Sequence, residues 1–176
     1  MKKEGSLRLL TPGEIGLARS VFGGSIVYSK VWVHHDSYLP FGLQHRNAAM
    51  APNGELYFRD WYADDFSKKD YRYNHLFIHE MAHVWQFQKG MWVKVRGLYS
   101  WLARYSYELD GNRMLKHYPM EQQAQIIADY YVFSAMGYAR WRNSRGKEVT
   151  YSGKDYVDAK IVKEKYKKVL AGFPYK

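Results

Sequence analysis

The chain has 176 residues, enough for one domain with its own core, and its 47% hydrophobic and 18% aromatic content excludes a disordered chain. Cysteine is absent, which excludes thiolate metal sites and leaves histidine and carboxylate as ligands. The net charge of +10 excludes an acidic protein, and no apolar run reaches the ~18 residues of a membrane span.

Near the start, Met1-Lys2-Lys3 leads only into a short Leu-rich stretch, so no signal peptide is visible and export by the general pathway is not encoded. Thr11-Pro12-Gly13-Glu14 then combines an N-cap threonine, proline at the first helical position and glutamate three after the cap. This predicts a helix through Ile15, Leu17, Ala18 and Val21, ending at Gly23-Gly24. Val31-Trp32-Val33-His34 reads as a strand, and residues 36–46 as a loop. Ala48-Ala49-Met50 and Glu55-Leu56-Tyr57-Phe58 read as two strands turned by Pro52-Asn53-Gly54, a hairpin signal. A small antiparallel sheet is therefore expected ahead of the next helix, with residues 59–70 as a polar loop.

From Tyr71 to Gln88 the chain has no Pro or Gly, and Gly90 supplies a stop. Leu76, Phe77, Ile78, Met81, Ala82, Val84, Trp85 and Phe87 make this helix apolar nearly all round, so it is expected to be buried. It carries His79-Glu80-Met81-Ala82-His83, an HExxH pattern. Residues four apart on a helix lie one turn above each other, so His79 and His83 present two imidazoles to one point. Two imidazoles at that spacing hold Zn²⁺, with Glu80 beside them as a general base. The plain alternative is a pair of surface histidines on an amphipathic helix. A buried glutamate between two histidines, however, needs a partner such as a metal.

Residues 90–96 read as a connector, 98–107 as a helix with an aromatic pattern, and Asp110-Gly111-Asn112 as a break. A long helix is predicted from Glu121 to Met136, ending at Gly137, and a last one over residues 154–170, stopping before Gly172 and Pro174. Positive charge is densest at Arg140, Arg142, Arg145 and Lys147 and at Lys160, Lys163, Lys165, Lys167 and Lys168. It reads as a solvated helix face, or else as attraction to an anionic envelope polymer, lipid headgroups or nucleic acid. There is no repeat and no linker, so residues 1–176 are read as one α+β domain, mainly helical.

A catalytic zinc needs a third protein ligand and an open position. Glu121, 38 residues after His83, opens a helix whose Ala124 and Ala128 permit close packing across the first. Gln125 and Asp129 follow at successive turns, where they would orient a ligand histidine from behind. Rivals for the third place are Asp129, His117 and His75, and Glu121 also suits a helix N-terminus by charge alone. Lys89 stands six residues after His83, so the three-histidine HExxHxxGxxH arrangement is absent. Two His plus Glu121 is the set of gluzincin-type peptidases and suggests a zincin-like fold. Zinc would polarise the scissile carbonyl, and Glu80 would take a proton from water and return it to the leaving amine. Candidate donors to the oxyanion are Tyr105, Tyr107, His117 and Tyr130. The Asn53-Gly54 hairpin would offer an edge strand to an extended peptide.

Four stretches carry a family resemblance: Leu10-Thr11-Pro12-Gly13-Glu14-Ile15, Pro52-Asn53-Gly54-Glu55-Leu56-Tyr57-Phe58, Phe77-Ile78-His79-Glu80-Met81-Ala82-His83-Val84-Trp85-Gln86 and Glu121-Gln122-Gln123-Ala124-Gln125-Ile126-Ile127-Ala128-Asp129-Tyr130-Tyr131. Over about residues 10–137 the chain resembles the Vgr-related zinc metallopeptidases, which include the toxin domain at the C-terminus of some type VI secretion spike proteins. The resemblance implies His79, His83 and Glu121 as zinc ligands and Glu80 as base. It further implies an antibacterial effector acting on a peptide or protein substrate in the periplasm of a target cell. Its partners would be a secretion-spike component and a cognate immunity protein, with no specific nucleic acid. The other readings are a cytoplasmic processing peptidase, and a non-catalytic zinc-stabilised module binding an anionic envelope polymer or nucleic acid.

Overall fold

Thr11 starts the first helix as its sequence predicts: its side chain accepts from the Glu14 N–H while Glu14 accepts from the Thr11 N–H. The computed structural model describes residues 4–91, 105–110 and 112–175. Among them are helices α1 (Pro12–Phe22), α2 (Tyr71–Gln88), α3 (Met120–Met136), α4 (Tyr138–Asn143) and α5 (Ala159–Val169), and strands β1 (Ser6–Leu9), β2 (Trp32–His35) and β3 (Leu56–Phe58). The class is α+β.

The sheet departs from the expected antiparallel one. Its order is β1-β2-β3, with β1 antiparallel to β2 but β3 parallel to it, pairing Val33 with Leu56 and His35 with Phe58. The hairpin partner of β3 shrinks to one bridge between Met50 and Tyr57. The buried Gln44 explains why: its side-chain amide donates to Ala48 O (2.8 Å) and Tyr57 O (3.2 Å), occupying the Ala48 carbonyl and crowding that of Tyr57. The strand β1 escaped the sequence reading because its alternation is inverted. Leu7 and Leu9 face outward, while Arg8 turns in to a bidentate pair with the fully buried Glu14 (2.8 Å and 2.8 Å). Glu14 also accepts from Phe66 N–H, so one carboxylate ties β1, α1 and the loop before α2 together.

Helix α2 begins at Asp70, whose carboxylate accepts from the Arg72 and Tyr73 N–H groups, and is buried from His79 through Gln86. It packs on α3 in antiparallel sense: His83 lies by Glu121, and His75 by Asp129. Ala124 and Ala128, both fully buried, allow the close approach. The last helix starts at Ala159 rather than 154, because Asp158 supplies the cap by accepting from Lys160 and Ile161 N–H. Of the helix expected over 98–107, residues 98–104 lie outside the described residues. The remainder is not helical: Tyr107 bridges Tyr151 in parallel. An aromatic core of Phe133, Trp141, Tyr151 and Tyr166 joins α3, α4 and α5. Among the described residues, no helix is long and apolar enough to cross a membrane.

Candidate metal centre

Helical spacing brings His79 and His83 to one face of α2, with ring centroids 5.0 Å apart and planes at 75°. Across the interface, the first turn of α3 presents Glu121. Its Oε2 lies 3.1 Å from His83 Nε2 and 3.4 Å from His79 Nε2. One donor atom from each of the three falls within 4.8 Å of the others, so the group can hold a metal ion. No cysteine, Asp129, His117 or His75 enters this cluster.

Without a cation the three groups compensate one another. Burial alone would lower the His83 pKa, but the adjacent Glu121 carboxylate pushes it up to about 9. Burial would raise Glu121, yet His83 and His79 hold it well below the usual carboxylate range. This pairing favours a protonated His83 beside an ionised Glu121, so a metal binding there would have to displace the His83 proton. Glu80, buried on the same helix, has its carboxyl raised by burial, against the pull of His79 and His83 and with the push of Glu121. Its Oε2 finds no hydrogen-bond partner among the described residues. A buried oxygen in that condition is costly unless something outside the chain meets it.

Gln86, which the sequence reading passed over as a site residue, stands behind His83. His83 Nδ1 and Gln86 Oε1 are 2.8 Å apart, and the Gln86 amide donates to Met120 O (3.0 Å) and Gln123 Oε1 (3.2 Å). The signal was its position three residues after His83, on the same helix face. The expected orienting residues lie one to two turns away from that job. Gln125 and Asp129 contact His75, not a histidine of the cluster: His75 Nε2 is 2.7 Å from Asp129 Oδ1, to which Gln125 also donates (2.9 Å).

Of the oxyanion-donor candidates, only Tyr105 borders the cluster, its ring 5.8 Å from that of His79. Burial, with Glu121 and Glu80 nearby, raises its pKa and keeps the phenol protonated. Tyr107 is buried elsewhere, donating to Asp129 Oδ2 (2.7 Å). His117 is exposed at the end of a short turn, its Nδ1 accepting from Met114 N–H. Tyr130 packs among Phe133 and Tyr166. The edge of β3 meant for a peptide is closed at Tyr57 by Met50.

No family model matches the chain. It is 41% identical over 133 residues to the type VI secretion system spike protein VgrG2b of Pseudomonas aeruginosa, an alignment covering 71% of this chain and 13% of that protein. Among solved structures it matches the effector domain of Pseudomonas aeruginosa VgrG2b at a TM-score of 0.65 and 34% identity, covering 86% of this chain and 87% of that one. The chain belongs to the VgrG2b effector-domain family. The Vgr-related part of the resemblance, carried chiefly by HExxHVWQ and the later EQQAQIIADYY, is thereby shown. This chain spans about an eighth of the length of the VgrG2b spike protein and nearly the whole of its effector domain.

Proposed function

We propose that this domain is a zinc metallopeptidase of zincin-like fold that hydrolyses peptide bonds as a type VI secretion antibacterial effector. The observation that carries this reading is the convergence of His79, His83 and Glu121 beside a buried Glu80 whose Oε2 has no partner among the described residues. Two imidazoles and one carboxylate without thiolate suit zinc, and three protein ligands leave a position open, as catalytic rather than structural sites do. Zinc, when bound, supplies Lewis-acid polarisation of a carbonyl and acidifies water. Glu80 accepts the proton of the attacking water and hands it to the leaving amine, and burial makes its carboxylate the stronger base. Tyr105 donates to the oxyanion as charge develops there. Gln86 fixes the His83 ring.

Family membership supports delivery with a secretion spike into a target cell, where the periplasm, a peptide or protein substrate and a cognate immunity protein complete the reading. The Glu80 oxygen without a partner among the described residues argues against the non-catalytic module, because a structural metal has no use for a base.

The test is metal content by elemental mass spectrometry together with cleavage of unfolded casein. About one zinc per chain is expected in the wild type and in Glu80→Gln, with strong loss in Glu121→Ala. Glu80→Gln should abolish cleavage, and also toxicity when the domain is directed to the periplasm of a sensitive bacterium. Full activity in Glu80→Gln would overturn the peptidase reading.

A further inference from the structure

One turn beyond the metal cluster lies a second polar centre. Asp129 is fully buried on α3, and both of its oxygens are saturated. Oδ1 meets His75 Nε2 (2.7 Å) and the Gln125 amide (2.9 Å); Oδ2 accepts from the Tyr107 hydroxyl (2.7 Å) and the Thr150 N–H (3.1 Å). A buried carboxylate with four partners from four places in the chain is a hub, since each partner would be costly to leave unmet.

Each of those partners stands one step from a member of the candidate site. His75 is one turn before His79 on α2, and Gln125 one turn after Glu121 on α3. Tyr107 is two residues after Tyr105. Thr150 closes the circuit, because its hydroxyl donates to the Tyr105 carbonyl (2.9 Å) while its own carbonyl accepts from Tyr107 N–H (3.4 Å). Tyr107 is further pinned by the Tyr166 hydroxyl (2.6 Å), which accepts from Trp141 Nε1 (3.1 Å). Helices α4 and α5 are thus tied to the same carboxylate, although neither reaches the cluster.

We infer that Asp129, acting through Thr150 and Tyr107, is the positioning residue that holds Tyr105 over the His79–His83–Glu121 group. The inference rests on the metallopeptidase reading and adds to it the device that sets the oxyanion donor. Among the described residues, 105–110 form no helix, and the Thr150 contacts to the Tyr105 carbonyl and the Tyr107 N–H hold this segment in place. The metal ligands, in contrast, are fixed by α2 and α3 themselves.

The test uses the full chain labelled with 3-fluorotyrosine and loaded with Co²⁺ or Zn²⁺, read by fluorine NMR. In the wild type, one resonance that is missing from Tyr105→Phe should be displaced by paramagnetic Co²⁺ relative to Zn²⁺. Thr150→Val, which removes the hydroxyl but keeps the N–H to Asp129, should collapse that displacement while cobalt stoichiometry stays at the wild-type level. Thr150→Ser should restore it, and Tyr107→Phe should weaken it. On casein, Thr150→Val should lower kcat with KM unchanged and add no further loss to Tyr105→Phe. A full displacement retained in Thr150→Val overturns the positioning role and leaves the metal reading standing. Failure of the wild type to bind Co²⁺ overturns both.

Discussion

His83 Nδ1 lies 2.8 Å from Gln86 Oε1, and this contact selects the nitrogen that His83 turns toward Glu121. The Gln86 amide is not free to flip, because its nitrogen donates to the Met120 carbonyl and to Gln123 Oε1. Its oxygen therefore faces the ring, so Nδ1 is the donor to Gln86 and Nε2 is the nitrogen left to ligate a metal once its own proton is displaced. Gln86→Leu should leave Nδ1–H buried without an acceptor and weaken zinc binding about 10- to 100-fold. Competition against a chromophoric chelator measures this, and an unchanged affinity would refute the orienting role.

The sequence made the placement of the histidine pair legible because it depends on helical period alone: His79, His83 and the capped start of α1 lie where spacing and capping put them. A place 38 residues after His83, on a helix with Ala124 and Ala128, makes Glu121 the expected third member of the group, ahead of Asp129, His117 and His75. The antiparallel packing of α2 on α3 puts Glu121 by His83 and Asp129 by His75. The parallel pairing of β2 with β3 was not legible, since strand direction follows from the path of residues 36–55 and from the buried Gln44 side chain. Tyr107 and Tyr105 differ by two residues in an aromatic-rich stretch. Only the pairing of Tyr107 with Asp129 tells which ring faces the cluster.

Tyr105→Phe removes one phenolic donor and little volume. If Tyr105 stabilises the oxyanion, kcat should fall about 10²- to 10³-fold, as for the loss of one such donor in other hydrolases. Zinc content should not change, because the three donor atoms of the cluster lie on α2 and α3. Steady-state kinetics with a cleaved peptide checks the first point, and elemental analysis the second.

Asp70 caps the helix that bears the motif, and Asp70→Ala should cost about 1 kcal/mol of stability at neutral pH. The hydrogen bond from Arg72, aided by the helix N–H groups and opposed by slight burial, lowers the Asp70 pKa. A depressed folded-state pKa means that the carboxylate's contribution is complete above the unfolded value of about 3.9 and is lost as pH falls through the folded one. The stability gap between wild type and Asp70→Ala, measured by urea titration, should therefore be constant from pH 7 to 5 and close below pH 4. A gap of the same size at pH 2 would rule out the charged cap.

Gly54 has a φ of +82°, and a methyl group there would stand 2.5 Å from Cδ1 of Phe87, one helical turn beyond His83. Gly146, at φ +77°, has no atom within 4 Å of the same position. Both alanine variants carry the left-handed strain of about 1–2 kcal/mol, but only Gly54→Ala must also displace an aromatic ring. Thermal unfolding should show the larger loss for Gly54→Ala, and in a Phe87→Ala background its additional cost should shrink to that of Gly146→Ala. Equal losses in the wild-type background would mean that the Phe87 ring swings aside without cost, and that the turn at Asn53-Gly54 is not held by its packing against α2.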